Sequence, residues 1–289
     1  MLDIRNLNKK YKNGFELKDI SLHLNAGDFA VLFGADDAGK TSLIYHVLGL
    51  HKFRKGEILF DGRSLLRLTD EERRGLRFVP DSLCTEPITL REYFATIDLL
   101  YVDYDAEDAS DLCEYFNLSM DKKLSEMSES ENKLAVIIGA LVTAPKLLIL
   151  DEPMNFLTTE SAVKLLGFLK FLSSRGMAIL ITSERASDVQ DYCSHYLYLQ
   201  NGEITHRGLL SEMFSSQKAV SIKGGSANMA QSLLGTAIAR AGDYTTYLWD
   251  AKVQKRSLTE VLGLIAPIDI RVEDLSLEEM LNKDYTRWI

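Results

Sequence analysis

Residues 34–42 read Gly-Ala-Asp-Asp-Ala-Gly-Lys-Thr-Ser, the spacing G-x-x-x-x-G-K-[ST]. Further along, the apolar run Leu147-Leu148-Ile149-Leu150 ends in the paired carboxylates Asp151-Glu152. The first spacing suits a polyphosphate. Gly34 and Gly39 permit a tight turn, and the backbone from Gly34 through Ala35, Asp36, Asp37 and Ala38 to Ser42 can cradle an anion. Lys40 then reaches the β- and γ-phosphates, and the Thr41 hydroxyl can ligate Mg²⁺. In the second segment Asp151 can hold the hydration shell of that Mg²⁺ while Glu152 polarises an attacking water. Together the two segments describe a site for a nucleoside triphosphate with magnesium. Asp36 and Asp37 sit awkwardly there, because like charges a few ångströms apart repel by about a kcal/mol even with partial screening. They are expected to point outward.

These side chains need particular elements to position them. Residues 29–33 (Phe-Ala-Val-Leu-Phe) form a short apolar run, as expected of a strand buried on both faces. Thr41 to Leu48 reads as a helix closed by Gly49. Its start aims unpaired N–H groups and the positive dipole end at the turn. Asp151 falls at the carboxyl end of a strand-like run, where open α/β sheets place their ligands.

The stretch Ala144-Pro145-Lys146-Leu147-Leu148-Ile149-Leu150-Asp151-Glu152-Pro153 closely resembles the Walker B region of ATP-binding cassette (ABC) ATPases. The opening, Leu2 to Leu7 and Asp19 to Leu22, is similar to the first strands of the same family. The resemblance covers residues 1 to about 215 and implies an α/β fold of the P-loop NTPase class. It also implies a mixed sheet core, a helical subdomain at about 82–140, ATP and Mg²⁺ as ligands, and a head-to-tail dimer of cassettes. On it, Tyr11 fits the aromatic residue that stacks on adenine.

The resemblance also exposes departures. The family's Q-loop glutamine corresponds to Asp81, which can still ligate Mg²⁺ but adds charge to an acidic site. The signature LSGGQ corresponds to Met127-Ser128-Glu129-Ser130-Glu131, with both glycines and the glutamine lost. Glycine allows close backbone approach there, and two glutamates bring repulsion instead. The D-loop aspartate is Thr158, and the switch histidine is Glu184, which donates to phosphate only when protonated. Nucleotide binding is expected to be kept while turnover is impaired or depends on a partner chain.

Bulk properties fit a peripheral cytosolic subunit on the inner face of the membrane. The chain has 289 residues, with 33 basic against 42 acidic side chains and a net charge of −9. This balance argues against nucleic acid as a partner. Cys84, Cys113 and Cys193 lack metal-ligand spacing and read as reduced structural thiols. No run approaches a membrane span and no signal peptide opens the sequence, so an integral-membrane permease is expected as partner.

Along the chain, residues 1–80 should be mixed β with the loop helix. The segment from Thr89 begins an amphipathic helix with Leu99-Leu100 on its apolar face. Asn201-Gly202 reads as a hairpin turn. A division at 215/216 separates the ATP-binding domain (1–215) from a C-terminal accessory domain (216–289) of small α+β type. Strands are expected at 218–223, 244–250 and 268–272, and helices at 228–234, 258–264 and 275–285. Trp249 and Trp288 read as packing residues. This tail resembles that of drug- and antibiotic-peptide-export ATPases, which favours export of a peptide, antibiotic or other amphipathic compound. A homo- or heterodimer, and a regulatory half with little turnover, stay open. The absence of a long insertion between the two Walker segments argues against DNA-repair relatives, and the single cassette against translation factors.

Overall fold

The computed structural model describes residues 1–251, 253–275 and 279–280. These divide into two compact units, Met1–Arg207 and Gly208–Ile289. The division lies ahead of the 215/216 boundary expected.

In the first unit, β1 (Leu2–Lys10) and β2 (Glu16–Leu24) pair antiparallel, and β3 (Phe29–Phe33) leads through residues 34–39 into α1 (Lys40–Val47). The chain returns through β4 (Lys55–Phe60) and β5 (Arg63–Ser64), completing a sheet of order β2-β1-β4-β5. After α2 (Asp70–Arg73) and β6 (Leu76–Val79) come the helices α3 (Leu90–Leu100), α4 (Ala106–Tyr115) and α5 (Glu129–Leu141). Then follow β7 (Leu147–Leu150), α6 (Thr159–Ser174), β8 (Ala178–Ser183), β9 (His195–Gln200) and β10 (Glu203–Leu209). The second sheet has the order β10-β9-β3-β8-β7-β6, and its pairs from β9 to β6 are parallel.

Every residue of β3, β7 and β8 is buried. Continuous apolar runs are what a parallel strand covered on both faces requires. Both sheets share one core with Leu43, Ile44 and Val47 of α1. This packing anchors the first turn of α1 against β3, the carboxyl end of which delivers the 34–39 loop. Asn201 and Gly202 turn β9 into β10 with positive φ (50° and 76°), as a tight hairpin demands.

The helical segment begins as expected, with Thr89 and Glu92 forming a reciprocal capping box at α3. Leu99 and Leu100 correct the expected face: they are 87% and 60% exposed, whereas Leu90, Phe94 and Ile97 are buried. Positions 90, 94 and 97 follow the i, i+4, i+7 stripe, and Leu99 lies roughly 200° around the helix from Ile97.

In the second unit, α7 (Leu210–Ser216) precedes β11 (Gln217–Lys223), α8 (Ala227–Leu234), β12 (Ala237–Ala241), β13 (Tyr244–Asp250), α9 (Leu258–Ile265) and β14 (Asp269–Asp274). The strand order is β12-β13-β11-β14 with every pair antiparallel, a split β-α-β arrangement. Val220, Ile222, Tyr247 and Trp249 pack against Ala230 and Leu234 of α8 and Val261 and Ile265 of α9. Trp249 is therefore a packing residue. Most of the expected 275–285 helix and Trp288 lie outside the described residues.

Candidate functional site

The loop between β3 and α1 is shaped by its glycines. Gly39 has φ 106°, and a Cβ there would meet Phe15 Cζ at 2.5 Å. A Cβ on Gly34 would meet the Leu199 carbonyl oxygen at 2.4 Å. Only glycine fits either place. Ala35, Asp36 and Asp37 are exposed, while Ala38 is buried. A cavity of about 470 Å³ opens over this loop. Its wall includes residues 35–42 together with Phe15, Asp81, Glu152 and Glu184.

Lys40 is 7% exposed, and its ammonium donates to the Gly34 carbonyl at 2.7 Å and the Ala35 carbonyl at 3.2 Å. It also lies 3.2 Å from Glu152 Oε1. That oxygen is buried and has no aligned hydrogen bond, so the contact is an ion pair without good donor geometry. Burial raises the Glu152 pKa above its ordinary value, and the Lys40 charge opposes the rise.

Asp151 is 3% exposed and accepts on both oxygens: Thr41 Oγ1 donates at 2.9 Å and Thr182 Oγ1 at 2.6 Å. The Glu152 N–H donates back to Thr182 Oγ1 at 2.8 Å. Glu152 itself has φ 42°, a left-handed conformation that turns the chain sharply at the end of β7. The Glu184 N–H donates to Glu152 Oε2 at 3.2 Å. Thr182 of β8 and Glu184 just beyond it thus support the two carboxylates that follow β7.

Thr182 was not among the residues singled out from sequence. The parallel register opposes Leu150 and Ile181, so the next residues, Asp151 and Thr182, are neighbours. A hydroxyl near the carboxyl end of a buried strand, beside a second strand followed by a carboxylate, is the signal that could have found it.

Phe15 also went unrecognised. Phe15 lies on the cavity wall, whereas the Tyr11 hydroxyl pairs with His46 Nε2 at 3.0 Å. The Tyr11 and Phe15 ring centroids lie 5.8 Å apart. A tyrosine hydroxyl in an apolar setting takes a polar partner, here an imidazole.

The remaining sequence-derived residues separate into two groups. Asp81 and Glu184 join the cavity: Asp81 Oδ2 accepts from Asn155 Nδ2 at 3.1 Å, and Glu184 shares a hydrogen bond with Asp36. That bond, with burial and the Asp36 charge, raises the Glu184 pKa. Ser128, Glu129, Ser130 and Glu131 instead form the first turn of α5 and are not on the cavity wall. Ser128 caps the helix, and Ser130 Oγ accepts from the Thr158 N–H at 3.3 Å. Thr158 in turn caps α6.

The donor set fits magnesium held jointly with phosphates. One hydroxyl and one carboxylate meet at 2.9 Å, and hard oxygen donors of this kind leave most coordination positions to water and substrate. Among the described residues no group of three or more His, Cys, Asp or Glu side chains could hold a metal by itself. Nor does any described helix have the length and apolarity to cross a membrane.

Residues 17–155 match the family model described as ABC transporter. The lipopolysaccharide export system ATP-binding protein LptB of Haemophilus influenzae is 28% identical over 227 residues, 75% of this chain and 94% of that protein. The phosphonates import ATP-binding protein PhnC of Lactobacillus acidophilus is 26% identical, covering 79% of this chain and 96% of its own length. A solved ATP-binding subunit of an ABC transporter superposes with TM-score 0.67 at 20% identity, over 92% of this chain and 99% of that one. A dimeric post-hydrolysis cassette bound to ADP and Pi gives TM-score 0.64 at 21% identity, over 73% and 99%. With the glycine-shaped loop, the Thr41–Asp151 bond and the parallel core already in place, the chain has the fold of an ATP-binding cassette and is similar over residues 17–155 to ABC transporter ATPases.

Proposed function

We propose that the chain binds and hydrolyses ATP to energise a separate integral-membrane permease, working as one cassette of a dimer. The observation that carries this reading is the Thr41–Asp151–Thr182 chain of hydrogen bonds beside Lys40 and Glu152. It supports reading Thr41 and Asp151 as a metal-binding pair beside a phosphate-binding Lys40 and a candidate base, Glu152.

In this mechanism the N–H groups of residues 34–41 and the α1 dipole receive the phosphates. Lys40 leaves its carbonyl contacts for the β- and γ-phosphates, which frees Glu152. Thr41 and Asp151 would hold Mg²⁺, which would supply charge neutralisation when bound. Glu152, kept in place by the Thr182 and Glu184 contacts, takes the proton of the attacking water. Asp81 completes the acidic wall near the metal. Phe15 offers the aromatic surface for a base, with Tyr11 bracing it. The Asp36–Glu184 hydrogen bond favours a protonated Glu184, the form able to donate to phosphate where a histidine is missing.

The signature turn favours partner-dependent turnover. Ser128 has its N–H and hydroxyl committed to Glu131 in its own chain. A homodimer would carry two such self-capped signatures, whereas a partner with glycines there would complete this chain's site. Export of an amphipathic compound is the proposed direction. The relatives named for lipopolysaccharide export support it, while the import relatives make cargo and direction matters for transport assays. Steady-state ATP hydrolysis by the chain with its co-purified permease, compared with Lys40→Ala and Glu152→Gln, tests the reading. Turnover that survives both substitutions would contradict it.

A further inference from the structure

Lys133 has no exposed surface. Lysine is almost never buried this completely unless its charge is paired, because an isolated ammonium in a dry interior is too costly. It projects from α5 and donates through Nζ to the Pro80 carbonyl at 2.6 Å, with the Phe156 ring centroid 5.6 Å away. Pro80 precedes Asp81, and Phe156 follows Asn155, whose amide bonds Asp81 at 3.1 Å. One ammonium therefore touches both segments that meet at Asp81. Burial lowers its pKa below the ordinary lysine value, and the charges of Asp81, Asp151 and Glu152 oppose that fall.

The cavity wall shows why such a cation would be placed there. It presents Asp36, Asp37, Asp81, Glu152 and Glu184 against Lys40. A polyphosphate entering that wall meets an excess of negative charge that Lys40 alone does not offset. We propose that Lys133 is a positioning residue for nucleotide binding, a buried counter-cation in α5 that offsets the acidic wall and fixes the Pro80–Asp81 segment. The proposal rests on the cavity being the nucleotide site. It also gives α5 a direct bond to the cavity rim, from the helix that carries residues 128–131 at its start.

A charge role and a packing role separate when magnesium is withheld. The full chain is titrated with trinitrophenyl-ATP in EDTA and again with excess Mg²⁺, as wild type, Lys133→Gln and Lys133→Gln/Asp81→Asn. Glutamine keeps a donor for the Pro80 carbonyl and removes the charge. Lys133→Gln is expected to weaken Mg²⁺-free binding about tenfold and Mg²⁺-loaded binding less than about threefold, because the metal replaces the lost charge. The double variant is expected to return Mg²⁺-free binding to within about threefold of wild type. An equal loss with and without Mg²⁺, or no loss, overturns the proposal. If Lys133→Gln fails to fold, the double variant decides: recovery of folded, binding protein supports the charge role, and continued failure overturns it. A wild-type chain that does not bind the probe even with Mg²⁺ overturns the nucleotide reading as well. Wild-type binding that Lys40→Ala abolishes leaves that reading standing whatever Lys133 does.

Discussion

The Glu131 carboxylate folds back on Ser128, accepting its N–H at 2.8 Å and its hydroxyl at 2.8 Å, while Lys122 Nζ adds a third donor at 2.7 Å. A helix N-terminus offers its free donors to an anion, and here an anion from the same helix already holds them. Glu131→Gln keeps a capping side chain and removes the charge. Nucleotide-dependent dimerisation, followed by light scattering with Glu152→Gln in the background, is expected to increase several-fold. Stability should fall by less than about 1 kcal/mol, as for other partly exposed ion pairs. Unchanged dimerisation would show that the charge at 131 does not oppose the partner's phosphates.

Thr182 makes a different kind of test, because it bonds the Asp151 carboxylate and the Glu152 N–H without being on the cavity wall. Thr182→Val leaves the buried Asp151 Oδ1 without a donor and should cost about 1–3 kcal/mol of stability. Turnover is expected to drop at least about tenfold, in kcat more than in KM, with a weaker response to Mg²⁺. Thr182→Ser should recover most of both. Equal loss in Val and Ser variants would point to the methyl group and not the hydroxyl.

Glu152 trades stability for chemistry. Its folded-state pKa lies above the ordinary carboxylate value, chiefly through burial. The folded chain therefore binds this proton more tightly than the unfolded chain, so stability falls as pH rises from the ordinary value through the raised one. Above the raised value the full penalty is present. Glu152→Gln removes it, and the variant is expected to melt higher than wild type near neutrality without nucleotide. The advantage should vanish in acid, below the ordinary carboxylate range. A lower melting temperature at neutral pH would contradict this account of the ion pair with Lys40.

Much of the site was legible because it is local. The 29–33 strand, the glycines at 34 and 39 and the start of α1 follow one another along the chain, and each carries its own signal. What stayed hidden depends on distant pairing. Thr182 meets Asp151 only through the β7–β8 register, and Lys133 looks like an ordinary solvated residue until α5 is packed. The Tyr11–His46 pair was hidden because nothing nearby in sequence announces His46 as a partner. Leu99 and Leu100 deceived by composition: both are apolar, but the helical angle turns them away from the face built by Leu90, Phe94 and Ile97. Strand β12 escaped notice, since Ala-Ile-Ala-Arg-Ala has little β-branched or aromatic content and a bulge breaks its alternation.

Four capping-box glutamates make an acid-sensitive set. Hydrogen bonds hold Glu72, Glu92 and Glu260 below the ordinary carboxylate pKa, mainly from backbone N–H groups, and Lys122 does the same for Glu131. A depressed folded pKa means stability is complete above the ordinary value and is lost as pH falls through the depressed one. Urea midpoints should hold from neutrality down to the ordinary glutamate range and then drop steeply. Replacing all four by glutamine should flatten that drop, and an unflattened curve would place the acid sensitivity elsewhere.

The measurement that bears most directly on the central claim is ATP binding and turnover by the purified chain, with Glu152→Gln and Lys40→Ala beside it. Wild type and Glu152→Gln are expected to bind Mg-ATP with similar affinity, Lys40→Ala to lose binding, and any turnover to vanish in Glu152→Gln. Binding that ignores Lys40, or hydrolysis that persists without Glu152, would contradict the assignment of this cavity as a working nucleotide site.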